Sequence, residues 1–317
     1  MKKVAAVVIS YNPNIDRMRL GIEKLLGQVG TVIVVDNGSA TCVGQMVETI
    51  ANACLVFRPL GINMGIGAAL NVGINIARGM GAEFALLMDQ DSLARAGMVE
   101  TLLRTYYKLI REGSGVAAVG PRFIDSETGS ASSHARFARW HVGRVDCGRS
   151  ESAVRVDFLI TSGSLIPIEV LETVGGMDES LFIDHVDTEW VLRAKSLGYD
   201  SFGDCVALME HSLGEYRINI WCFRWREVPV HRPFRYYYIF RNSCMLYRRP
   251  YMVWAWKRVD VVRLVQICVF TLVFGPQRLL KMHMMWRGIC DGLRGRGGSM
   301  VPIEGMDPVL RRESPDS

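Results

Sequence analysis

Short apolar runs alternate with longer amphipathic stretches along the first 120 residues. Residues 4–9, 31–35, 54–57 and 84–88 are nearly continuous apolar runs, the pattern of strands buried on both faces. Between them, 16–26, 43–52 and 67–78 carry apolar residues at helical spacing, as does 96–111. Residues 116–119 predict a further strand. This alternation predicts an α/β fold, a mostly parallel sheet flanked by helices. Residues 124–155 are polar, rich in Ser, Gly and Arg, and predict a long irregular insert. Beyond it, 156–166 predicts a strand, 186–197 a helix, and 199–210 a strand ending at Glu210-His211. From His231 the chain turns aromatic and basic, with helix expected through 293 and a flexible tail over 295–317.

Composition adds limits to this pattern. With 317 residues, 49% hydrophobic and 22% charged, the chain can build a large core, which excludes wholesale disorder. Its net charge of +5 is unevenly spread. From His231 onward 15 basic residues face 6 acidic ones, whereas 1–230 holds 22 basic and 26 acidic. A basic tail on a mildly acidic front points to a polyanion, either nucleic acid or an anionic membrane surface. No nucleic-acid motif accompanies the excess, so nucleic acid is not expected as a partner. The eight cysteines show no C-x-x-C spacing and predict reduced core residues of a cytoplasmic protein. The start, Met1-Lys2-Lys3 and then 4–9, is too short for a signal peptide and predicts a buried strand. Residues 264–275 are the most apolar stretch, but run only about a dozen residues before Pro276. A spanning helix needs roughly 20. With Trp254, Trp256 and Trp286 nearby, the expectation is a helix lying at a membrane surface, the alternative being a core helix.

Four short patterns carry candidate chemistry. Asp89-Gln90-Asp91 ends an apolar strand with two carboxylates one residue apart. Ligands of open α/β sheets bind beyond the carboxyl ends of strands, and paired carboxylates there can hold a divalent cation that bridges a diphosphate. Asp36 closes another strand, where a carboxylate can accept hydrogen bonds from a nucleotide, or simply form an Asx turn. Asn63-Met64-Gly65 through Asn71 opens a helix with small residues that permit close backbone approach to an anion. It has neither the G-x-G-x-x-G pattern nor a Walker lysine. Downstream, Asp184-His185-Val186-Asp187-Thr188-Glu189 brings further acids to a helix start.

Taken in this order, Ser10-Tyr11-Asn12, Asp36-Asn37, Asn63-x-Gly65 through Asn71, and Asp89-x-Asp91 resemble family 2 glycosyltransferases of the Rossmann-like GT-A fold. The segment Gly175-Gly176-Met177-Asp178-Glu179 leading to Asp187 resembles the part that carries the catalytic base in that family. Glu210-His211, Tyr236-Tyr237-Tyr238-Ile239-Phe240-Arg241-Asn242 and Asp291-Gly292-Leu293-Arg294 resemble its bacterial rhamnosyltransferase subgroup. The resemblance implies a catalytic domain over 1–230, with nucleotide-sugar binding in 1–122 and the acceptor and catalytic part in 123–230. A basic helical extension at a membrane surface would follow over 231–294. It implies Asp187 as general base and Asp89, Asp91 and His211 as ligands of Mg or Mn. Donor or acceptor contacts would come from Ser10, Asn12, Asp36, Asn63, Gly65, Asn71, Asp89, Glu189 and Arg193. For Arg193, an ion pair and a phosphate contact stand equally, and for Glu189, orienting Asp187 and a merely solvated helix acid do. The implied reaction is inverting transfer of L-rhamnose from dTDP-L-rhamnose to a lipid-linked saccharide of O-antigen, at the inner face of the bacterial inner membrane. The alternatives are transfer to a mono-rhamnolipid and, from another class, a non-catalytic nucleotide-binding scaffold. Two departures stand out. Val186 precedes Asp187 where the family often has Glu, and the Gln-x-x-Arg-Trp of processive synthases is missing from Trp221-Cys222-Phe223-Arg224-Trp225. The second departure implies addition of single sugars.

Overall fold

The computed structural model describes residues 3–125, 132–138, 141–148, 152–211, 217–221, 225–229 and 231–300, with backbone alone at 125, 211, 217–221 and 225–229. The strands β1 (Val4–Ser10), β2 (Thr31–Asp36), β3 (Leu55–Pro59) and β4 (Phe84–Asp89) run parallel in the order β3-β2-β1-β4. Their continuous apolar runs follow from cover on both faces. In β1, Ala5, Val7 and Ile9 join one apolar cluster, and Val4, Ala6 and Val8 join the other. The helices α1 (Ile15–Leu26), α2 (Val43–Ile50), α3 (Ile66–Gly79) and α4 (Met98–Arg111) supply the cover foreseen from their spacing. Asn14 caps α1, its side chain accepting from the backbone N–H of Arg17 at 3.0 Å.

The sheet continues through elements that the pattern did not separate. A two-residue strand, β5 (Leu93–Ala94), follows the Asp91 turn, and β6 (Val116–Asp125) extends the sheet. The expected irregular insert instead carries three short strands: β7 (His134–Phe137), β8 (Val142–Val145) and β9 (Ala153–Val156). Parts of that insert, 126–131, 139–140 and 149–151, lie outside the described residues. The single strand expected over 156–166 is also two pieces. After β9 the chain loops, then re-enters as β10 (Leu165–Pro167), antiparallel between β4 and β6. A reversed strand needs a turn before it, and that turn carries Ser162 to the end of β4. Next come α5 (Ile168–Val174), a 3-10 turn over Glu179–Leu181, α6 (Val186–Ser196) and β11 (Asp200–His211). Among the described residues this sheet has nine strands, six pointing the same way and β5, β9 and β10 opposing them, while β7 and β8 pair with each other apart from it. A separate hairpin pairs β12 (Arg217–Trp221) with β13 (Trp225–Pro229), while Cys222, Phe223 and Arg224 lie outside the described residues.

The cysteine expectation is corrected. Cys147 and Cys205 form a disulfide joining the segment after β8 to β11, and Cys42 and Cys54 are exposed rather than in the core. Partners 58 residues apart leave no mark in local spacing; only the fold brings their Cα atoms to 5.6 Å.

Past residue 231 the chain forms α7 (Pro233–Tyr247), α8 (Trp254–Val273) and α9 (Arg278–Leu293), as its composition predicted. Helices α7 and α9 touch backbone to backbone, since a Cβ on Gly288 would lie 2.4 Å from the carbonyl oxygen of Tyr237. These helices are joined to the sheet: Leu246, Met252 and Trp256 share one apolar cluster with Ile9, Leu87 and Trp190. Among the described residues no helix is long and apolar enough to cross a membrane. Of the tail expected over 295–317, residues 301–317 lie outside the described residues.

Candidate active site

Parallel strands end at a common edge, and the registers Ser10↔Asp36 and Ile9↔Asp89 line up Ser10, Asp36 and Asp89 there. Asp36 is buried, and its Oδ1 accepts the hydroxyls of Ser10 (2.9 Å) and Ser39. Its Oδ2 accepts the backbone N–H of Ser39 at 3.2 Å. Asn12 closes the same corner, accepting from Ala40 N at 2.8 Å, while its own N–H donates to Ser39 Oγ. Beside it, Asn37 accepts from Met64 N and donates to Asn63 Oδ1, which also accepts from Gly65 N. Gly65 has φ +88°, and a Cβ there would lie 2.7 Å from Phe182, so only glycine fits this helix start. Asn63 and Gly65 thus shape the mouth of α3.

Asp89 is where charge accumulates. Burial pushes its carboxyl up to about 7, and the negative charges of Asp91 and Asp187 add to that effect. Its backbone N–H donates to Ser162 Oγ, and Arg17 Nε donates to the carbonyl of Asp91 at 2.7 Å, which pins the turn between them. Gln90, for which the sequence offered no role, clasps the Tyr11 backbone from both sides, accepting at 2.7 Å and donating at 3.3 Å. Strand β5 then pairs with the end of β11, with Leu93 opposite Glu210. His211 follows as the last residue of β11, paired with Asp125 of β6. The His211 side chain lies outside the described residues. Among the described residues no group of three metal-ligating side chains assembles. Two strand-end carboxylates, one of them half-buried beside like charges, nevertheless suit a hard divalent cation such as Mg or Mn.

Asp187 enters from the other side, on the first turn of α6. Burial raises it to about 6; Thr188, donating through its N–H (2.7 Å) and hydroxyl, opposes the shift, and the charge of Asp184 adds to it. Asp187 lines a small apolar pocket together with Leu87, Leu159, Ile160, Met177 and Trp190. The backbone leading to it is unusual. Phe182, Asp184 and His185 all have φ +64°, and none is glycine. Each such residue costs about 1–3 kcal/mol unless its surroundings hold it.

Three residues expected at the substrate are engaged by the protein itself. Glu189 is 1% exposed and accepts from Arg193 Nε (2.8 Å), Arg193 Nη2 (3.0 Å) and Tyr251 OH (2.5 Å). Arg193 also donates to the carbonyls of Val174 and Gly176, so of its two readings the ion pair is the one found. Asn71 bonds reciprocally with the Met177 backbone, at 3.0 and 2.8 Å. All three brace the 174–179 segment under the pocket. The sequence showed a hint of this, since Glu189 and Arg193 stand four apart on one helix, the spacing of an ion pair.

With this geometry in place, the comparisons with known proteins fall on the same strands. The model of glycosyl transferase family 2 matches residues 5–175, more than half of the chain and every strand from β1 to β10. The chain belongs to glycosyl transferase family 2. This glycosyltransferase is 29% identical over 300 residues to dTDP-rhamnosyl transferase RfbF of Shigella flexneri, covering 93% of the chain and 97% of that relative. Among solved structures it resembles S. aureus TarS 1-349 in complex with UDP-GlcNAc (TM-score 0.59, 16% identity, 93% of this chain and 82% of that one). It also resembles GalNAc-T7 with UDP, GalNAc and Mn2+ (TM-score 0.57, 13% identity, 84% of this chain and 55% of that one). At such identities the two structures speak for the fold alone, which is GT-A. The glycosyltransferase is therefore an enzyme built on a mostly parallel sheet, with the helices past residue 231 added to it.

Proposed function

We propose that this glycosyltransferase moves L-rhamnose from dTDP-L-rhamnose, with inversion, to a lipid-linked saccharide of a surface polysaccharide such as O-antigen. The observation that carries the donor is the likeness to a dTDP-rhamnosyl transferase, which runs through nearly the whole of both chains. The carboxylate constellation supports the chemistry. Asp36, anchored by Ser10 and Ser39, contacts the base or ribose, and the α3 mouth at Asn63 and Gly65 faces the diphosphate. Asp89 and Asp91, with His211 as third ligand, would hold Mg or Mn. That cation supplies Lewis-acid stabilisation of the leaving diphosphate. Asp187 takes the proton of the acceptor hydroxyl as its oxygen bonds to the anomeric carbon and the bond to the diphosphate breaks on the opposite face. The purified protein, with Mn2+ or Mg2+ and a panel of nucleotide sugars, tests this directly. Turnover of dTDP-rhamnose above all others is expected; preference for another sugar overturns the donor and leaves the family untouched.

The acceptor places the enzyme at the inner face of the inner membrane, and α8 offers the surface. Trp254, Val261, Val265, Val269 and Leu272 recur along one side of that helix and are all exposed, Trp254 at 75%. Between Arg232 and Arg296, thirteen basic residues face two acidic ones, Asp260 and Asp291, both buried. An apolar stripe flanked by cations suits an anionic bilayer. The enzyme should sediment with phosphatidylglycerol vesicles in a salt-sensitive way. Val265→Glu with Leu272→Glu should abolish sedimentation and leave hydrolysis of soluble donor unchanged. Sedimentation of the double variant at the level of the unmodified enzyme removes α8 as the docking face.

A further inference from the structure

The strained turn before Asp187 is held from helix α7, outside the matched family segment. Phe182 (φ +64°, ψ −59°) sits in a γ-turn closed by Ile183 N donating to Leu181 O at 2.7 Å, a conformation side-chain-bearing residues avoid. Asp184 and His185 continue it in the left-handed region. Asn242, with no exposed surface, donates from its amide to three carbonyls of this turn: Leu181 (2.9 Å), Ile183 (2.7 Å) and Asp184 (3.0 Å). Arg241, equally buried, donates from Nη2 to Ser180 and Leu181 and from Nη1 to Gly298. Its Nε donates to Asn242 Oδ1 at 3.0 Å, which orients the amide with its N–H groups toward the turn. Arg235 grips Asp184 with two nitrogens, and Tyr238 stacks on Phe182 at 5.0 Å. The carbonyl of Phe182 meanwhile accepts from Ile66 N at the mouth of α3, at 2.7 Å. One turn of chain thus joins the donor side of the site to the helix that carries the base.

We propose that Arg241 and Asn242 are positioning residues for the transfer reaction, locking the 182–185 turn so that α6 presents Asp187 to the acceptor hydroxyl. A merely structural contact between α7 and the rest of the fold would spread over side chains. Here the donors of two adjacent buried residues converge on four backbone carbonyls, those of Ser180, Leu181, Ile183 and Asp184, three to seven residues before the base. Over-determined backbone of this kind is how a site keeps a reactive group within a fraction of an ångström, and misplacement by ~1 Å can cost about 100-fold in rate.

The inference rests on Asp187 being the base, so Asp187→Asn is measured first. If that variant turns over donor normally, the base reading fails on its own account, whatever Asn242 does. Asn242→Ala is then assayed for kcat and KM with the preferred donor, for dTDP affinity by calorimetry in Mn2+, and for its thermal midpoint. Asn242→Asp keeps the shape and removes the donors. Both variants should lose about 30–100-fold in kcat and hold dTDP affinity within about twofold. Tyr237→Phe is the control: it removes the α7–α9 bond to Asp291 and should lower the midpoint while kcat stays. A kcat within threefold of the unmodified enzyme for Asn242→Ala overturns the proposal. So does an equal fall in kcat for Tyr237→Phe at matched stability. If Asn242→Ala does not fold, Asn242→Ser, which keeps one donor, decides by the same split: a smaller fall in kcat with intact dTDP binding upholds the proposal, and an unchanged kcat overturns it.

Discussion

Asp187→Asn is expected to lower kcat by about three orders of magnitude, with donor affinity changed no more than a few-fold. Asparagine fills the same volume and keeps an acceptor for the N–H of Thr188, so the start of α6 should survive. What it lacks is a basic oxygen. A general base works best when its pKa lies near the working pH, and burial lifts Asp187 to about 6, toward that range. In the unmodified enzyme kcat should therefore climb as pH rises through about 6, where Asp187 gives up its proton. In the Asn variant that limb should vanish. A variant retaining a tenth of kcat, with the limb in place, would assign the base elsewhere.

Asp89→Asn should act in two directions at once: turnover falls by about 100-fold or more, and the metal-free protein becomes more stable at alkaline pH. The sign follows from linkage. The folded carboxyl titrates at about 7, against the ordinary aspartate value of 3.8, so the folded state holds the proton more tightly. Its stabilising contribution is complete below 3.8 and is lost as pH climbs through 7. Above that, the folded protein carries a partly desolvated anion beside Asp91 and Asp187, a cost that Asn does not incur. Calorimetry at pH 8 without metal should find the Asn variant melting higher, and the gap should narrow at pH 5. Added Mn2+ should raise the midpoint of the unmodified enzyme far more than that of the variant. Equal metal responses would remove Asp89 from the cation site.

The strands and helices of the first 120 residues were legible because each buries its own local pattern. The apolar runs of β1, β2 and β4 and the helical spacing of α1, α3 and α4 are properties of neighbouring residues, and so are the acids that close the strands. Their order along the chain sufficed to identify the family, later matched over 5–175. The regions past 124 were less legible. Strands of three or four residues, such as β7 and β10, are too short to show a period. They exist because partners elsewhere in the chain accept their hydrogen bonds.

The sequence by itself determined the architecture, the acids at the strand ends and the carboxylate at the start of α6. Tertiary structure decided which of the candidates are engaged by the protein's own groups. It turned Glu189 and Arg193 inward against Tyr251 and two carbonyls, and it engaged Asn71 with Met177. It also paired Cys147 with Cys205 and set Arg241 and Asn242 against a turn some sixty residues earlier. The physical reason is the same in each case. Periodicity and strand-end chemistry are written within a few residues. A buried polar group's role depends on which distant carbonyl or carboxylate satisfies it, and chain folding alone supplies that partner.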